Sequence, residues 1–222
     1  VQTGKALHRR NDPLGKLTGQ AKRKGLHRMI KCEQDSRTRR TKAALRAGLA
    51  ALIREKGVAG VTVRELAERA GINRATFYIH YHDIDDMLGH IYREILSDLA
   101  AVLEMHQKEE SAERPFSILC DIFRFLQKHS AMCAALLSER GDPAFIEQIK
   151  APIRDKCVRD WKRLRPDEPN EHRAAYFASY IVSGCVGLFE QWLKGGMQET
   201  PEEMAQLADR MIRTGVKTML TP

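Results

Sequence analysis

A chain of 222 residues that is 43% apolar and 30% charged is long enough for one or two ordinary cores, and its net charge is +8. No run approaches the ~18 apolar residues of a membrane span, and no apolar stretch follows the basic N-terminus as a signal peptide requires, so a cytoplasmic protein without membrane contact is expected. Five cysteines (Cys32, Cys120, Cys133, Cys157 and Cys185) lack any CxxC or Cys/His spacing, which argues against a zinc site and leaves reduced thiols acting as small core hydrophobes.

The charge is unevenly divided. Residues 1–36 carry nine Lys or Arg against three Asp or Glu, residues 37–82 ten against three, and residues 83–222 eighteen against twenty-three. A basic first third ahead of a mildly acidic remainder fits a chain that meets a polyanion with one end. A solvated charged face would look the same in composition, so the motifs have to decide.

In chain order, residues 1–35 mix Gly, Lys, Arg and His without sustained apolar periodicity, as a disordered basic tail does. From Arg37 the pattern turns helical. Leu45, Leu49, Leu52 and Ile53 share one face, and Gly57 is placed to stop the helix. Thr62 and Glu65 have the spacing of a capping box, and Leu66, Ala67 and Ala70 supply the apolar face of a short helix. Gly71 permits a sharp redirection, and Asn73 is an N-cap for a second short helix from Arg74 to about Tyr81. Asp83 then caps a longer helix carrying Ile84, Met87, Leu88, Ile91, Ile95, Leu99 and Val102 at helical spacing. Further amphipathic helices are expected over Pro115–Ser130, Pro143–Leu164, Glu171–Lys194 and Pro201–Leu220, the last behind a Thr200/Glu203 box. Nothing reads as strand, so the predicted class is all-α.

Two short helices crossing steeply need a small residue at the crossing, here Ala67, and a turn that opens, here Gly71. Ile72 and Phe77 fill the angle from within, with Tyr81 also facing inward. Arg74, Thr76, Tyr78 and His80 project outward, as groups that meet base edges or phosphates would. Few apolar anchors in the most basic part of the chain suit a helix that reads DNA.

The run TVRELAERAGINRATFYIHYHD resembles the signature of the TetR family: a capped helix, an Ala-Gly turn, a polar cap and an aromatic Tyr-x-His-Tyr run. The resemblance is specific over residues 37–90 and extends weakly to the rest. It implies a three-helix helix-turn-helix domain at 36–82 and a C-terminal helical domain at 83–222 for dimerisation and effector binding. By position it implies DNA contacts from Thr62, Arg64, Asn73, Arg74, Ala75, Thr76, Tyr78 and His80, with Arg74 and Thr76 as base readers and Tyr78 and His80 on phosphates. One departure is Ile84, where the family commonly has a phosphate-reaching Lys; His82 is a partial substitute.

In the C-terminal half, AAYFASYIVSGCVGLFEQWL is apolar on two faces, so one side can meet the protein's own core and the other a second copy. The expected dimer interface comprises Phe177, Tyr180, Gly184, Gly187, Leu207 and Met211. A ligand pocket, if present, would draw on Phe116, Phe123, Phe145, Trp161, Tyr176 and Phe177, although aromatics at such spacing also make plain core. The GDPAFIEQI and WLKGGMQETPEEM segments are similar to dihydroxyacetone-kinase regulators and their relatives, some of which answer to a protein partner.

The absence of GxxxxGK[ST], HExxH, GxSxG and GxGxxG disfavours an enzyme, and neither cofactor nor metal is expected. The expected partners are an operator in double-stranded DNA, a second copy of the chain, and a small-molecule or protein effector. A helical adaptor with weakened DNA binding is the alternative, and Ile84 is its support.

Overall fold

The computed structural model describes residues 13–106, 116–167 and 170–220, with side chains from 35 onward except at 164, 171 and 215–220. Two compact units divide the chain, Val1–Ala44 and Leu45–Pro222. Helix α1 (Pro13–Lys56) begins in the first unit at a proline, whose fixed φ suits an opening turn and whose missing N–H would be unsatisfied there anyway. The periodicity places this helix start near Arg37, but residues 13–35 of the expected tail are helical and residues 1–12 lie outside the described ones. Periodicity finds helices that bury a face, whereas this stretch has no apolar stripe and rests on the propensity of its Leu, Lys, Arg, Gln and Ala.

In the second unit, Leu45, Leu49, Leu52 and Ile53 are buried on the last turns of α1. Gly57, at φ 82°, ends the helix while its N–H donates to the Ile53 carbonyl at 2.8 Å. A single 3₁₀ turn over Val58–Gly60, unforeseen from the pattern, leads into α2 (Val63–Arg69). Gly71, at φ 65°, turns the chain into α3 (Arg74–Tyr78). This helix stops three residues short of the expected Tyr81, although the Tyr81 N–H still donates to the Phe77 carbonyl at 3.0 Å. Helix α4 (Ile84–Met105) buries Met87, Leu88, Ile91, Ile95, Leu99 and Leu103. These join Leu45, Leu66, Phe77, Phe125, Leu136 and Phe145 in one core cluster, so α4 is packed along most of its length.

The helix expected over Pro115–Ser130 is α5 (Phe116–Lys128), and a short helix that the pattern did not announce, α6 (Ser130–Leu136), follows it after a break at His129. His129 is buried, and its Nε2 lies 2.8 Å from Oδ2 of Asp98 on α4, an ion-pair geometry that no local pattern announces. Helices α7 (Pro143–Leu164), α8 (Glu171–Lys194) and α9 (Pro201–Leu220) have the predicted bounds. Each opens on a local cap. Asp142 accepts from the Phe145 N–H at 3.0 Å, and Asn170 accepts from the His172 N–H at 3.0 Å. Thr200 and Glu203 bond reciprocally, N–H to carboxylate at 2.8 Å and N–H to hydroxyl at 3.2 Å. Helix α5 packs on α9, α7 on α8, and α4 against both α5 and α7. A second apolar cluster, with Phe123, Phe189, Trp192 and Met204, knits α5, α8 and α9 together. Every regular element among the described residues is helical, the all-α class expected. No helix among those residues is long and apolar enough to cross a membrane.

Candidate nucleic-acid interface and effector cavity

The short helix α3 is held by chemistry on both sides. Below it, Phe77 is fully buried and its ring meets that of Tyr81 at 5.7 Å, while Leu66 and Ala67 of α2 are buried beside them. At its start, the Asn73 side chain accepts from the Ala75 N–H at 2.9 Å, satisfying one free donor of the first turn. At the start of α2, the Thr62 hydroxyl accepts from the Glu65 N–H at 3.3 Å. The Glu65 carboxylate meets Lys56 at 2.5 Å, and this contact, with the Thr62 hydroxyl, holds its pKa down at about 2.

With the apolar groups turned in, Thr62, Arg64, Asn73, Arg74, Ala75 and Tyr78 are exposed, and Thr76 and His80 are half-buried. Seven of the eight named positions therefore lie on the two capped helices or their caps, and His80 lies in the turn after α3. Not every cation nearby is available. Arg69 is tied to Glu55 by two bonds of 2.8 Å, whereas no ion pair to Arg64 or Arg74 is present among the described residues. Ile79, 77% exposed beside the 58% exposed Tyr78, was not anticipated. Its signal was an aliphatic residue between the inward positions Phe77 and Tyr81, and such a side chain suits contact with a thymine methyl. Ile84 packs against the core cluster, and the His82 ring lies 3.0 Å from Asp83, whose carboxylate pulls the imidazole pKa upward. The opening of α4 thus presents no lysine, and its histidine is partnered by an acid.

Helices α5, α7, α8 and α9, with Cys133 of α6, line a cavity of about 450 Å³. Of the six aromatics predicted for a pocket, Phe123, Trp161 and Phe177 line it, with Trp161 and Phe177 centroids 4.5 Å apart. The other three do not. Phe145 is buried in the α4–α7 contact, stacked on Tyr92 at 3.7 Å, where the Tyr92 hydroxyl donates to Asp142 at 2.9 Å. Phe116 packs against the second cluster, and Tyr176 is 71% exposed. Cys133, Cys157 and Cys185 also line the cavity. Burial pushes these thiols up to about 12, about 12 and about 11, so they remain uncharged near neutrality and add apolar wall.

The outward face of α8 carries Tyr176, Tyr180, Gly184 and Gly187 at steps of four, four and three, all exposed. A Cβ added at either glycine would meet nothing within 4 Å. On α9, Met211 is 50% exposed and Leu207 is half-buried. Phe177 does not belong with them, because it faces Trp161 in the cavity. Phe177, expected at both the pocket and the interface, serves the pocket, and Tyr176, expected in the pocket, lies on the outer face. Neighbouring aromatics lie about 100° apart on a helix, and when both faces are apolar the pattern does not say which is inner.

Two family models match the chain. The one described as "Bacterial regulatory proteins, tetR family" covers residues 45–91, and the one described as "Transcriptional regulator C-terminal region" covers residues 113–214. No curated protein sequence matches. Among solved structures, the fatty acid degradation regulator FadR from Bacillus halodurans is similar at 12% identity and a TM-score of 0.57, over 78% of this chain and 94% of that one. The regulator FadR from Bacillus subtilis, solved with stearoyl-CoA, is similar at 13% identity and a TM-score of 0.54, over 77% and 96%. The dihydroxyacetone kinase operon activator DhaS is similar at 13% identity and a TM-score of 0.50, over 80% and 97%. At these identities the likeness concerns the fold.

Proposed function

The chain belongs to the TetR family of transcriptional regulators, and on that premise we propose that it represses transcription by binding a palindromic operator as a homodimer and is released by an effector in the α5/α7/α8/α9 cavity. The observation that carries this reading is the exposure of Arg74 and Tyr78 on a capped helix whose inner side is closed by Phe77. Arg74 and Thr76 read bases and Tyr78 and His80 hold phosphates, with Thr62, Arg64, Asn73 and Ala75 completing the contact. One recognition helix reaches too few bases to locate an operator, so two act together on half-sites about one helical turn, ~34 Å, apart. The exposed face through Tyr180, Gly184, Gly187 and Met211 is the surface assigned to that pairing.

Helix α4 packs against α5 and α7, two walls of the cavity, while its buried side shares a core with the helix-turn-helix. An occupant that shifts those walls therefore moves α4, and through it the reading helix, if it prefers one of two α4 positions. The protein acts in the cytoplasm, where the chromosome lies, and performs no catalysis. The adaptor alternative keeps its one support, since Ile84 packs against the core and the opening of α4 presents no lysine, and the same DNA experiment decides between the two. Selection of bound fragments from a genomic DNA library is the test. A recovered inverted repeat supports the reading, and retention that depends only on salt, without sequence enrichment, overturns it.

A further inference from the structure

The polar side chains around the cavity are not equivalent. Its wall is mostly aliphatic and aromatic, interrupted by Lys150, Lys156, Arg165 and Arg213 and by the acid Asp160. Three of the four cations are already neutralised. Lys150 lies 3.3 Å from Glu147, Arg213 lies 2.9 Å from Asp209, and buried Lys156 lies 3.0 Å from Asp160 while donating to the His106 carbonyl. Arg165, half-buried at the C-terminal end of α7, has no acidic partner among the described residues. Its guanidinium sits 5.8 Å from the centre of the Trp161 ring. The same indole, 6% exposed, holds a second unmet group, since its Nε1–H has no acceptor among the described residues. A buried donor left without a partner costs free energy, and a site rich in apolar wall with two unmet donors at one end is shaped for an amphiphile.

We infer that the cavity binds an acyl chain with an anionic, oxygen-bearing head, the head held by Arg165 beside Trp161 and the chain lying among Ile122, Phe123, Phe189 and Ile212. This rests on the effector reading above and assigns its ligand class. The volume agrees. At ~30 Å³ for each water-sized unit, and a methylene is about that size, 450 Å³ holds a chain of roughly a dozen or more carbons. A wholly apolar occupant would leave the buried indole N–H unsatisfied and Arg165 without a counter-charge. A dianion buried deep in the chamber would face walls with no further free cation and uncharged thiols.

Calorimetric titration of the full chain, without DNA and below micelle-forming concentrations, tests this with palmitate, palmitoyl-coenzyme A and hexadecanol. Saturable binding of one or both anions, at least about tenfold tighter than the alcohol, is the expected result. Arg165→Gln should reduce the anion to the level of the alcohol and leave the alcohol unchanged, with helical content retained by circular dichroism. Palmitate binding alone assigns the free acid, and binding of the coenzyme A ester alone assigns the thioester. Equal binding of acid and alcohol, no saturable binding of either anion, or an unchanged ratio in Arg165→Gln overturns the proposal. The titration contains no operator, so its failure leaves the DNA-binding reading standing, and failure of the fragment selection leaves the ligand result standing.

Discussion

The helix-turn-helix over residues 62–81 and the cavity-bearing bundle over residues 116–214 are built from the same kind of helix but close their cores in opposite ways. In the first, a few large side chains, with Leu49 of α1, close the core. Phe77, Leu66 and Leu49 are fully buried, and a Cβ on Gly48 would already stand 3.2 Å from Leu66. In the second, long helices carrying broad apolar stripes meet around a void of about 450 Å³. A reading helix has to keep its outer side chains in register against DNA, so its support is stiff. A sensing domain needs room for an occupant, and a void lined by surfaces that lack contact atoms on one side is a store of unrealised packing.

The largest expected effect probes the filled side. Phe77→Ala should cost about 3–5 kcal/mol in urea unfolding, since the removed ring leaves a space its neighbours cannot fill. A loss below about 1 kcal/mol would mean that the helix-turn-helix is as loosely packed as the bundle, and the contrast would collapse. Added volume sharpens the same contrast. Gly48→Leu should destabilise by about 1–3 kcal/mol through overpacking, whereas Val186→Leu, facing the void, should be neutral or stabilising and should weaken binding of any cavity ligand.

On the outer surfaces, three substitutions should change recognition or assembly without changing the fold. Arg74→Ala should cost about 1–3 kcal/mol of operator affinity and relax preference at one base position, while Tyr78→Phe weakens all sequences alike. Unchanged affinity and unchanged site preference in Arg74→Ala would remove it as a base reader. Gly184→Leu adds a side chain that meets nothing within the monomer, so helical content should be kept while the dimer loses about 1–3 kcal/mol. Sedimentation at micromolar concentration reads this directly, and a wild-type monomer there would remove the two-fold operator arrangement.

The smallest expected effect is a pH dependence at the α4/α5 contact. Burial pushes the His129 imidazole below its ordinary range, against the pull of Asp98, so the folded protein holds it neutral more firmly than the unfolded chain does. The stability this contributes is full above about pH 6.5 and falls as pH drops from there toward the folded value, because the unfolded state binds the extra proton. Lys128 foremost, with His129, holds the Asp98 carboxyl below its usual range, which acts in the same direction at lower pH. Urea midpoints measured between about pH 7 and pH 5.5 should therefore decline, and His129→Gln should flatten the decline. An equal slope in both proteins would place the titrating group elsewhere.

Local bonds were legible in the sequence by themselves. Thr62, Asn73, Asp83 and Thr200 cap helices because each bonds a backbone N–H two or three residues away, and Gly57 and Gly71 turn the chain because only their own φ has to change. The helix-turn-helix is almost wholly of this kind, so its residues could be named from one stretch of chain. The break at His129 needed Asp98, thirty-one positions away, and the 3₁₀ turn after Gly57 needed a fold to enter. The outward placing of Tyr176 beside the inward Phe177, the withdrawal of Phe145 into the Tyr92 stack, and the isolation of Arg165 among paired cations were decided only where helices distant in sequence come together. A helix apolar on two faces has no intrinsic inside. The neighbours that pack against it choose one, and with it they choose which side chains face the cavity and which are left for a partner.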